Sequence, residues 1–162
     1  MASDLSLSWR LSGRGWANCT IADHEREADL TASSISEAPE DLLNAVSRVL
    51  TGQTEVRTQF EAEPTAYRWV FYRQDTTVWI RIVELSHGEL HDNAGTEVWS
   101  SWQPVDRLVR AVIRCFDQVA DTYGESAYRG KWGEHFPRAE LEALRRLWHA
   151  TAPGNDHYEH GA

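Results

Sequence analysis

The sequence predicts an α+β fold: an antiparallel sheet of about six strands with three helices packed mainly on one face. Three observations carry that expectation. Six segments alternate apolar and polar residues with period two, and three others repeat them with the period of a helix. The strand-like segments also fall into two groups, separated by one helical segment and followed by two more.

The first group opens with "LSLSWRL", where Leu5, Leu7, Trp9 and Leu11 alternate with serines and Arg10, and "SGRG" then supplies a turn. "WANCTIA" and "EADLTASS" follow as strands, the latter setting Ala28, Leu30 and Ala32 on one side. Leu42, Leu43, Val46, Val49 and Leu50 then share one helical stripe, with Pro39, Glu40 and Asp41 at its start and Gly52 past its end. "TEVRTQFE", "AYRWVFYR" and "TVWIRIVE" form the second group, the last two joined through "QDTT" as a hairpin. "SHGELHDN" loses all periodicity and reads as a loop, and "TEVWSSW" as a short edge strand.

The clearest element comes next. Val105, Leu108, Val109, Val112, Phe116, Val119 and Tyr123 sustain an apolar helical face between Pro104 and Gly124. In "YGESAYRGKWGEHFP", Tyr128, Trp132 and Phe136 are spaced by four among glycines, which reads as a clasp tying this helix to a last one, "RAELEALRRLWHA". Residues 1–150 form a single domain in this reading, and 151–162 a polar C-terminal tail.

Composition narrows the function. The chain's 25 acidic against 16 basic side chains give a formal charge of −9, which repels a phosphate backbone and speaks against nucleic acid. No apolar run approaches the ~20 residues of a membrane span. Asp4 stands where an export signal would want Lys or Arg, and the two cysteines are too sparse for a disulfide framework, so a cytoplasmic protein with reduced thiols is expected.

No motif points to catalysis, so no catalytic residue, metal ligand or cofactor is assigned. The nearest candidates are His87, His91 and Asp92 in "HGELHD"; in a loop their i,i+4 spacing loses its meaning. They remain the basis of an alternative reading, a small enzyme or ligand-binding protein with a pocket between sheet and helices.

The sheet's second face is more informative. If Tyr67, Trp69, Phe71, Val78, Ile80 and Ile82 face the helices, then Arg68, Val70, Tyr72, Trp79, Arg81 and Val83 face away, joined by Arg57. Aromatic and arginine side chains of this kind either stack as cross-strand pairs neutralised by Glu55, Glu61 and Glu84, or form a recognition surface.

Two segments, "EPTAYRWVF" (Glu63–Phe71) and "YGESAYRGKWGEHFP" (Tyr123–Pro137), resemble the signatures of a bacterial family of small cytoplasmic proteins, some of them labelled WapI-type immunity proteins. The matching residues are Glu63, Pro64, Tyr67, Arg68 and Trp69, then Tyr123, Gly124, Tyr128, Trp132, Gly133, Phe136 and Pro137. The resemblance implies a non-enzymatic protein that occludes a toxin domain, and the acidic charge makes a basic domain the expected partner. On that reading the partner-binding residues are the acids Asp23, Glu25, Glu27 and Asp29, which steer a basic protein, and Arg68, Tyr72, Trp79 and Arg81, which anchor it.

Overall fold

The computed structural model describes residues 4–151. The C-terminal tail expected at 151–162 lies outside them, apart from Thr151.

The chain folds into two antiparallel sheets, not one. The first holds β1 (Ser6–Leu11), β2 (Trp16–Ala22) and β3 (Glu27–Ser33) in that order. After α1 (Ala38–Leu50), the second holds β4 (Glu55–Glu61), β5 (Ala66–Gln74), β6 (Thr77–Leu85) and β7 (Thr96–Pro104), again in sequence order. Three helices follow: α2 (Val105–Tyr123), α3 (Glu125–Trp132) and α4 (Arg138–Thr151). The α+β class stands, with seven strands and four helices among the described residues in place of about six and three.

Both differences have local causes. Alternation shows that a strand is half-buried but not which neighbour it pairs with, so two sheets and one look alike in sequence. The expected short strand at "TEVWSSW" is nine residues long and pairs along β6; its inner face carries Ser101 and Gln103, which weaken the apolar signal. Those polar side chains serve the β2–β3 turn. Gln103 Nε2 donates to Ser101 Oγ, which donates to Asp23 Oδ2 at 2.7 Å.

The two sheets share one core. β3 meets β7 at its start, where the Trp99 indole donates to the Arg26 carbonyl, and the β4–β5 turn at its end, where Ser33 donates to Glu63. Trp9 on β1 packs its ring 5.7 Å from Phe60 of β4, 5.9 Å from Phe116 of α2 and 5.4 Å from Trp132 of α3. Aromatic pairs of this geometry add about 0.5–1.5 kcal/mol beyond the area they bury. Cys19 on β2 and Cys115 on α2 are free, fully buried thiols within the same cluster, and burial pushes both well above their ordinary pKa.

The glycine-rich stretch becomes α3 and its exit. Tyr128, Trp132 and Phe136 are all buried, and Gly133, at φ +100°, ends the helix in the left-handed region that favours glycine. Among the described residues, no helix is long and apolar enough to cross a membrane.

Candidate functional site

The second sheet turns one face to the helices, and the opposite, outward face, on which Val70, Val83 and Ser100 are nonetheless buried, orders its side chains in three cross-strand rows. Register sets Glu55, Tyr72, Trp79 and Trp102 side by side, then Arg57, Val70, Arg81 and Ser100. Gln59, Arg68 and Val83 form the third row and meet Glu97 on β7 across a bulge after Ile82. The period-two pleat dictates this arrangement once the apolar residues between them face the core.

The first row is aromatic. The Trp79 and Trp102 rings lie 5.3 Å apart, and Trp102 is 52% exposed. The two rings form a partly exposed aromatic pair, with Arg81 in the next row, opposite Ser100.

In the second row, Arg81 Nε donates to Glu97 Oε1 at 2.8 Å, and Ser100 Oγ donates to the other carboxylate oxygen. The Arg81 bond holds Glu97 below its ordinary pKa, against the opposing effect of burial. Arg26, reaching over from the β2–β3 turn, donates to the Ser100 carbonyl at 3.0 Å and so caps the outer edge of β7.

The third row is covered by the loop that sequence left without structure. Arg68, 13% exposed, donates to Gln59 Oε1, to the carbonyls of Gly88 and Leu90, and to Asp92 Oδ1 at 2.9 Å. Asp92 Oδ2 also accepts from Arg57 Nη2 at 2.7 Å, and the Arg57 bond is the main reason its carboxyl lies below the usual range. Where the loop returns to the sheet, a Cβ on Gly95 would stand 2.3 Å from Val83 Cγ1 and 2.6 Å from the Glu84 carbonyl, so only glycine fits.

The residues expected to bind a partner fall into two places. Arg68, Tyr72, Trp79 and Arg81 do share the outward face, although Arg68 is largely consumed in pinning the loop. The acids line the β2–β3 turn and β3, where Asp23 is bonded to Ser101 of β7, and not all are available. Burial pushes the Asp23 carboxyl up, but bonds from Ser101 and the backbone N–H groups of Arg26 and Glu25 bring it below its ordinary pKa. Asp29 accepts from Thr20 at 2.6 Å, while Glu25 and Glu27 are exposed.

His87, His91 and Asp92 do not converge. Asp92 is committed to two guanidiniums, both histidines are exposed, and no group of three metal-ligating side chains comes together among the described residues. Nor do they line a pocket between sheet and helices. His91 and Asp92 border an open depression of about 650 Å³ on the outward face, whereas the hollow among Leu50, Val105 and Trp148, about 230 Å³, contains neither.

Two features escaped sequence reasoning. Trp102 extends the outward alternation by one strand; it lies within the expected strand "TEVWSSW", but the inward and outward sets were assigned only for β5 and β6. A groove of about 420 Å³ between α1 and β4 left no signal, since it depends on how a helix lies along a sheet edge.

No protein-family model matches the chain, and no curated protein is similar to it at a meaningful level. Among solved structures, a chain of the CdiA-CT/CdiI toxin and immunity complex from Enterobacter cloacae is similar at a TM-score of 0.45 and 12% identity, over 68% of this chain and 99% of that one. A likeness that remote assigns neither a family nor a role.

Proposed function

We propose that this chain is a non-enzymatic binding protein of the immunity type, which captures a basic polypeptide on the outward face of its second sheet and occludes it. The observation that carries this reading is the Tyr72–Trp79–Trp102 row with its half-exposed terminal tryptophan. Trp, Tyr and Arg dominate binding hot spots because each buries a large area and keeps a directional polar or cationic group. Such a row has little to gain from lying in water.

Charge supports a basic partner. The arginines of that face are matched locally, Arg57 by Glu55 and Asp92, Arg81 by Glu97, and the chain with all its arginines counted still carries a net −9. Exposed Glu25 and Glu27 contribute to steering, and Asp23 and Asp29 less so. The motif residues behind the WapI-type resemblance are mostly packing groups: Trp69, Tyr128, Trp132 and Phe136 are buried, which ties that resemblance to the scaffold more than to the contact surface.

The test is co-expression of the tagged chain with the product of the adjacent gene, followed by capture at low and high salt. A basic partner lost as salt rises is expected. Trp102→Ala should weaken the complex by roughly 30-fold or more, as at a central anchor, with the fold intact. Capture of no basic partner, or unchanged affinity in that variant, rejects the reading.

A further inference from the structure

β4 is an edge strand, hydrogen-bonded to β5 alone. Its inward-bonding positions are fixed by two contacts just beyond its ends: Arg73 N–H donates to the Thr54 carbonyl, and Ala62 N–H to the Thr65 carbonyl. Antiparallel alternation therefore turns the backbone N–H and C=O of Glu55, Arg57, Gln59 and Glu61 away from the sheet. The Arg57 carbonyl bears this out, since its contact is a long 3.4 Å bond from Arg48 on α1.

This row of backbone groups does not open onto flat surface. It forms one wall of the α1–β4 groove, whose other wall is the stripe Asp41, Asn44 and Arg48. Two hydroxyls in the lining have no partner: Thr58 Oγ1, on a residue only 8% exposed, and Ser36 Oγ. Both oxygens lie beneath the groove surface, and the bonding groups open to a ligand are those of the sheet edge.

From this we infer that the groove takes an extended segment of the partner polypeptide, added to β4 as a further strand and carrying basic side chains toward Asp41 and Glu61. The inference rests on the protein-binding reading above and supplies its docking mode. Main-chain bonds to the edge provide affinity independent of side chains, and the groove wall selects among them.

Charge fixes the selection. Arg57 and Arg68 are offset by Glu55 and Asp92, and Arg48 stands at the Arg57 end. Asp41 makes no ion pair among the described residues, and Glu61 accepts only from the neutral Gln59 amide. Burial, then Glu37, pushes the Asp41 carboxyl above its ordinary pKa although Arg48 opposes them, a state that an arriving ammonium or guanidinium group relieves further. The opposite edge offers no equivalent, because Arg26 already occupies the β7 backbone at Ser100.

The experiment titrates the full-length, nitrogen-15-labelled chain with a short acetylated, amidated peptide of alternating lysine and threonine, followed by NMR. Saturable shifts are expected at the backbone amides of Arg57, Gln59 and Glu61. Combining Asp41→Asn with Glu61→Gln, neither of which disturbs the strand, should weaken binding about tenfold. The same peptide N-methylated at alternate residues, unable to donate to the edge, should give no shift there. Silence at those amides, or equal binding by the N-methylated peptide, overturns the inference. Shifts confined to the Trp79 and Trp102 indoles overturn edge addition while leaving the protein-binding reading standing. Shifts on β4 that persist in Trp102→Ala establish the edge even where the aromatic row fails its own test.

Discussion

Glu40, in the first turn of α1, sits where a carboxylate should be welcome, at the positive end of a helix dipole. Burial nevertheless pushes its pKa up to about 7, aided by Glu140, Glu37 and Asp41, and its Oε1 has no hydrogen-bond partner. The sign follows from linkage. A carboxyl whose pKa is higher folded than unfolded contributes stability below its unfolded value, near 4.5, and loses it as pH rises to about 7. Glu40→Gln should therefore raise the melting temperature by roughly 2–6 °C at pH 8 and change it little at pH 4.5. Equal effects at both pH values in thermal melts would show that the carboxyl does not titrate in that window. Sequence identified Glu40 as a helix-start acid from its place beside Pro39, but its burial depends on tertiary packing and on Glu140 of α4, one hundred residues further along.

At the scale of elements, the loop between β6 and β7 shows how one side chain orders an irregular segment. "SHGELHDN" was legible as a loop, because it has neither periodicity, but not as a loop folded over the sheet. Arg68 supplies what pattern reading lacks: its partners Gly88, Leu90 and Asp92 are 20 to 24 residues away. Arg68→Ala leaves the Leu90 carbonyl without its donor and the Gly88 carbonyl with the Gln59 amide alone, and should cost about 1–3 kcal/mol, whereas Arg57→Ala, at a 39% exposed side chain, should cost about 1 kcal/mol or less. Amide exchange should accelerate at Leu90, Ala94 and Gly95 in the first variant, with smaller changes in the second. Indistinguishable exchange in the two would mean that the loop holds itself. The strands were easier to read: the inward and outward sets of β5 and β6 match their alternation, and β7 resisted because its polar inner residues answer to another element's turn.

Across the whole molecule, the tryptophans join what the chain order separates. Trp132 comes from the glycine-rich stretch near the C-terminal helix, yet it packs on Trp9 of the first strand, which in turn touches Phe60 of the second sheet. The spacing of Tyr128, Trp132 and Phe136 marked them as packing residues, but nothing in the sequence names their partners across the fold. Trp132→Ala should cost about 3–5 kcal/mol, and the loss should fall on both sheets together. Tryptophan fluorescence and far-ultraviolet circular dichroism are expected to report one coincident transition at a lower denaturant midpoint. Two separated transitions would mean that the sheets unfold independently.

The paired burial of Cys19 and Cys115 gives this cooperativity a clock. One thiol belongs to a strand of the first sheet and the other to the helix that follows the second, and each lies within the electrostatic reach that perturbs ionisation. Because the thiolate is the reactive species and burial suppresses it in both, an alkylating reagent finds neither sulfur until the layers part. With reagent in excess, each cysteine is then modified at the rate at which the molecule opens, and equal rates at the two positions would mark that opening as one event.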